Sequence, residues 1–117
     1  DLAAPPPGLR PLAHAGLAAY LPDPVARAAP LASPLRAETL AGFPPTLLNL
    51  GAGDPWRAQG EAFAARLERA GRHPRVNLIQ GAGHRGLHEG PADAARNALA
   101  AIADFLAQRF AEARPGP

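Results

Sequence analysis

The sequence predicts an α/β fold, a strand–helix–strand–helix portion of a parallel sheet that is incomplete on its own. Three observations carry that prediction. Two short runs, Thr46–Leu50 and Val76–Gln80, are mostly apolar, and each ends in Gly-Ala-Gly (Gly51-Ala52-Gly53 and Gly81-Ala82-Gly83). Runs of this length with glycine or proline at both ends read as strands covered on both faces, as in parallel sheets. Between them, Trp56, Gly60, Phe63, Leu67 and Ala70 recur at spacings of four, three, four and three, which traces one face of a helix. After the second run, Pro91–Ala113 is rich in alanine and carries a further stripe at helical period.

Taken in order, residues 1–43 form a proline-rich segment. Asp1 to about Ala19 contains Pro5-Pro6-Pro7 and Pro11, shows no sustained period and is expected to be a loop. A polyproline ligand for another module is the sharper alternative; His14 is expected to be solvated. Tyr20–Phe43 carries Pro22, Pro24, Pro30 and Pro34. Proline bars long helices and central strands, so short turns are expected, one of them around Ala37–Leu40. Residues 44–113 hold the strand–helix–strand–helix portion. Gly71 is the expected stop of the first helix. Arg66, Arg69 and Arg72 gather at that end, where the helix dipole favours positive charge. In the second helix, Pro91 suits the first position and Asp93 the first turn. Leu99, Ile102, Leu106 and Phe110 are the expected buried stripe, with Phe105 beside it. Residues 114–117 are expected to fray.

A parallel crossover places the carboxyl ends of both strands on one edge of the sheet. Asp54 and His84 each stand just past such an end. Neighbouring strands lie ~5 Å apart, so this acid and this imidazole can meet above the sheet, on the edge where open α/β sheets carry their chemistry. An Asp–His pair there is the orienting acid and general base of a hydrolytic triad. Each residue also has a plain structural reading. Asp54 before Pro55 is a natural helix start, with the acid as cap. His84 taken alone reads as a loop histidine, and His88 is an alternative base. His84 and His88 have the spacing of a zinc pair on a helix. Gly86 and Gly90 argue against a helix there, no third ligand is apparent, and no metal or cofactor is expected. His73, before Pro74, is expected to be exposed.

Residues from about Tyr20 to Phe110 resemble the C-terminal part of an α/β-hydrolase of the hormone-sensitive-lipase type, the carboxylesterases and lipases that act on acyl esters. The matching pieces are Ser33-Pro34-Leu35, Gly42-Phe43-Pro44-Pro45-Thr46-Leu47-Leu48, Asp54-Pro55-Trp56-Arg57, Ala64-Ala65-Arg66-Leu67 closing at Ala70-Gly71, and Gly81-Ala82-Gly83-His84. The resemblance implies that Asp54 is the triad acid, that His84 is the histidine, and that residues 1–43 derive from a cap region. It departs at Ala58-Gln59, where the family has acidic residues, and at Arg85-Gly86-Leu87, where it has Gly-Phe after the histidine. The family's Gly-x-Ser-x-Gly elbow and His-Gly-Gly-Gly-like oxyanion loop do not occur in these 117 residues. Ser33, the sole serine, stands in no such motif, and the resemblance gives it a structural role. The expected function is therefore the acid and histidine portion of a carboxylic-ester hydrolase. Its serine and oxyanion hole lie outside this chain, on upstream sequence or a partner chain. The alternative, favoured by Arg85, is a non-catalytic binding module or an inactive fragment of the same fold.

Composition agrees with that reading. A chain of 117 residues forms at most one small domain, and two strands alone would leave a sheet edge bare. The formal charge is +2, and its 12 basic residues, all arginine, are spread along the chain, which argues against a nucleic-acid partner. There is no cysteine for disulfides. No apolar run approaches the ~20 residues needed to span a membrane. The partners expected are a small acyl-ester substrate and the remainder of the hydrolase fold.

Overall fold

A computed structural model of the chain describes residues 7–88 and 90–113. The elements run α1 (Arg10–Tyr20), α2 (Pro24–Ala28), β1 (Leu47–Gly51), α3 (Arg57–Arg69), β2 (Arg75–Ile79) and α4 (Ala92–Glu112), with 3-10 turns at Pro7–Leu9 and Pro34–Arg36. The tail at 114–117 and Pro5-Pro6 lie outside the described residues. The chain divides into two compact units.

One unit comprises residues up to Thr46 together with Ala58–Pro74. Its first helix corrects the expectation of a loop before Ala19. Pro11 sits in the first turn of α1, where a missing N–H costs no hydrogen bond. Pro24 opens α2 in the same way, with the Asp23 carboxylate accepting from the Val25 N–H at 2.9 Å. Pro34 opens the second 3-10 turn. Pro11, Pro24 and Pro34 thus mark starts, while Pro22 and Pro30 lie in the breaks that follow α1 and α2. Ser33 Oγ donates to the Arg27 carbonyl at 2.6 Å, a structural role for the lone serine.

From Ala58 onward, α3 belongs to the same unit. Leu67, expected on its inner face, is fully buried, and Phe63 meets Phe43 edge-on with centroids 5.4 Å apart. The Arg66 guanidinium donates to the carbonyls of Leu35 and Ala37, pinning the segment ahead of β1. The helix stops where glycine is expected. Gly71 has φ +71°, its N–H reaches the Glu68 carbonyl and the Arg72 N–H reaches Leu67, a Schellman close. His73 is exposed as expected, with Nδ1 2.8 Å from Glu68.

The other unit holds Leu47–Arg57 and the chain from Arg75 onward. Among the described residues its sheet is β1 and β2, paired in parallel from Leu47 opposite Arg75 to Gly51 opposite Ile79. Both strands are found one residue from their expected bounds, β1 later and β2 earlier. Asn49 and Asn77 are partners in that register, and the Asn77 side-chain amide donates to Asn49 Oδ1 at 2.8 Å. The core gathers Ile79, Ala82, Ala94 and Ala98 where α4 lies on the strands. Here the structure corrects the expected stripe. The buried residues of α4 are Ala94, Ala98 and Ala101, whereas Leu99, Leu106 and Phe110 are exposed. Alanines at spacings of four and three let the helix approach the sheet closely, while Ile102 and Phe105 are half-buried.

Candidate functional site

The backbone past the two strands builds the site. The parallel ladder does not end with β1 and β2 but continues into the loops. The Ala52 N–H donates to the Ile79 carbonyl at 2.9 Å, and the Gly53 N–H donates to Ala82 at 2.9 Å. Gly51 permits this approach, since a Cβ there would lie 2.4 Å from the Gly83 carbonyl oxygen and 2.7 Å from that of Ala82. Gly81, at φ +73°, turns the chain after β2 through a conformation that favours glycine. The Arg57 guanidinium donates to the Ala52 carbonyl at 3.1 Å and ties down the first loop. Two interlocked loops therefore leave the sheet on one edge, and each carries one predicted residue.

Those residues meet. His84 Nδ1 lies 3.1 Å from Asp54 Oδ2 and 3.2 Å from Oδ1. A carboxylate only accepts, so Nδ1 carries the proton and donates, leaving Nε2 as the free ring nitrogen. The pair is unequally exposed, at 14% for the Asp54 side chain and 60% for His84. The carboxylate is thus held in the fold, and the imidazole is open to its surroundings. This acid–imidazole hydrogen bond, with the second nitrogen available, is the arrangement that fixes a general base in the proper tautomer.

Asp54 also serves the turn that leads into α3. Its Oδ1 accepts from the Trp56 N–H at 2.8 Å, and the Arg57 N–H donates to its carbonyl at 3.0 Å. One carboxylate therefore makes both contacts, to the turn and to the imidazole. Trp56, expected on the helix face, instead sits in that turn, one residue ahead of α3. Its ring lies against His84, with centroids 4.9 Å apart and planes at 56°. Sequence reasoning missed this contact because the helical spacing absorbed Trp56. The available signal was its position two residues after the acid.

An open cavity of about 280 Å³ adjoins the pair, lined among others by Asn49, Asp54, His84, Arg85 and His88. His88 is exposed, and its N–H donates to the Arg85 carbonyl at 2.8 Å in a run of turns. His84 and His88 therefore do not share a helical face. Among the described residues, Asp54 bonds to His84, and no bond joins it to His88. No helix among the described residues is long and apolar enough to cross a membrane.

A parallel strand–helix–strand unit with an aspartate and then a histidine past its strand tips is an arrangement that the α/β-hydrolase class of architecture accommodates. Comparison with known proteins agrees: the model of the alpha/beta hydrolase fold family matches residues 7–88, and the chain belongs to that family. It is similar to carboxyl esterase 2 of the mycorrhizal fungus Tuber melanosporum, whose crystal structure it matches at 30% identity with a TM-score of 0.63. That match covers 82% of this chain and 38% of the esterase chain. No curated protein matches the chain. The protein is thus of esterase/lipase type in fold, and its chain spans well under half the length of the esterase it resembles.

Proposed function

We propose that this chain supplies the acid and the base of a Ser–His–Asp carboxylesterase acting on a small acyl ester. In this reading His84 Nε2 takes the proton from a serine hydroxyl as that oxygen attacks the ester carbonyl, then returns it to the leaving alcohol. Asp54 holds the imidazole in the required tautomer and stabilises the imidazolium that forms. The serine and the donors that stabilise the oxyanion come from the remainder of the hydrolase fold, since Ser33 is bonded to the Arg27 carbonyl and lies in no elbow. Exposed apolar side chains on β2, Val76 and Leu78, suit a unit that is covered by further structure.

The observation that carries the reading is the contact of 3.1 Å between His84 Nδ1 and Asp54 across neighbouring strand tips. The test is covalent labelling by a fluorophosphonate of the complete protein that bears this chain. The reading expects one labelled serine outside these residues, and labelling that slows greatly in His84→Gln. A folded protein that binds acyl esters but takes no label would instead be a non-catalytic member of the family, and the hydrolase reading would fall.

A further inference from the structure

The Asp54–His84 hydrogen bond alone leaves the imidazole poorly fixed. A bond at Nδ1 sets the distance but allows the ring to swing about the line joining it to the carboxylate. The His84 side chain is 60% exposed, so little protein surrounds it to stop that swing. The indole of Trp56 is the described ring that lies against it. A centroid separation of 4.9 Å falls within the range of attractive ring pairs. Trp56 is itself fixed at its backbone by the same carboxylate, through the bond of 2.8 Å from its N–H to Asp54 Oδ1. Carboxylate, indole and imidazole thus form a closed set in which each member limits the other two.

We propose that Trp56 is a positioning residue for His84: its indole holds the imidazole in the plane that keeps Nδ1–H on Asp54 and Nε2 free toward the reactant. The role rests on the hydrolase reading for its catalytic consequence, but not for the ring placement itself. The contact also has a spectroscopic consequence. The indole ring current displaces the resonances of protons held close to it, so the carbon-bound ring protons of His84 are shifted from their usual positions while the two rings stay together.

The test uses the complete protein with labelled histidine, in wild type and in the Trp56→Leu and Trp56→Phe variants, with His84→Gln to assign the resonances. The expected result is ring-current-displaced His84 ring protons in wild type, a displacement lost in Trp56→Leu and partly kept in Trp56→Phe. The Nδ1 proton bonded to Asp54, visible downfield in wild type, should broaden in Trp56→Leu. With an ester substrate, kcat should fall roughly tenfold in Trp56→Leu with KM nearly unchanged, and recover in Trp56→Phe, as the loss of a ring pair predicts. Circular dichroism separates these effects from a failure to fold, and Trp56→Phe carries the test if the leucine variant is unfolded. Identical His84 spectra in wild type and a folded variant would overturn the proposal, whatever the activity. An enzyme with no fluorophosphonate labelling but intact ring shifts would overturn the hydrolase reading and leave the placement standing.

Discussion

Replacing Gly51 by alanine tests the construction of the site more directly than removing either of its polar residues. The added methyl carbon would sit 2.4 Å from the Gly83 carbonyl oxygen and 2.7 Å from that of Ala82, and both obstacles are backbone. Real contacts of this kind do not fall below 3.0 Å, so the Ala82–Gly83 segment must retreat by more than half an ångström. That segment accepts the hydrogen bond from the Gly53 N–H and leads directly into His84. Overpacking of a tight site costs about 1–3 kcal/mol, and misplacement of a catalytic group by ~1 Å lowers the rate on the order of 100-fold. The controls lie on the same two loops. A Cβ at Gly53 meets Ala82 at an ordinary 3.4 Å, and one at Gly83 meets nothing within 4 Å. Denaturant unfolding and ester hydrolysis by the complete protein should therefore single out Gly51→Ala, while Gly53→Ala and Gly83→Ala stay within about 0.5 kcal/mol of wild type. A Gly51→Ala protein as stable and as active as the two controls would refute the idea that close backbone approach holds the acid and histidine together.

The two roles of Asp54 should separate. Asp54→Asn keeps an oxygen for the Trp56 N–H, so the unfolding free energy should hold while kcat drops by about 10⁴-fold, as loss of the orienting acid predicts. Asp54→Ala removes both partners and should cost about 1 kcal/mol in addition, read by denaturant titration. In α4, Ala98 is fully buried against the strands. Ala98→Leu should destabilise by about 1–3 kcal/mol in a thermal or denaturant melt, and an unchanged midpoint would contradict the close packing of this helix.

The sheet and the pair at its edge were legible because glycine punctuates both strands and the residues with chemistry follow that punctuation. Any strand–helix–strand crossover puts Asp54 and His84 on the same edge, and the observed register needs no further information to bring them together. Less legible were features where one residue type answers to more than one rule. Proline density in the first 43 residues reads as helix-breaking, yet Pro11, Pro24 and Pro34 each occupy the opening of a helix or 3-10 turn. In α4 the leucines draw attention to one stripe, but the alanines at 94, 98 and 101 keep an equally good period and are the ones buried. Trp56 fits a helical spacing, although the turn set by Asp54 ends ahead of the helix. In each case, the local pattern was present in the sequence, and tertiary packing chose between two readings of it.

The way the site is assembled bears on what the rest of the protein must supply. Asp54, Trp56 and His84 all belong to one compact unit, and the hydrogen bonds that place them run within it. Their relative geometry follows from the register of β1 on β2 and from the approach that Gly51 permits. It does not depend on where a nucleophile stands. A carboxylate–imidazole pair fixed in this way presents a histidine nitrogen at the strand tips whether or not a serine is opposite it. Under the hydrolase proposal, further structure is then required for the nucleophile, the oxyanion donors and the acyl pocket, and not for orienting the imidazole. Substitutions in that further structure should accordingly abolish turnover without moving the His84 resonances, whereas Gly51→Ala should move both.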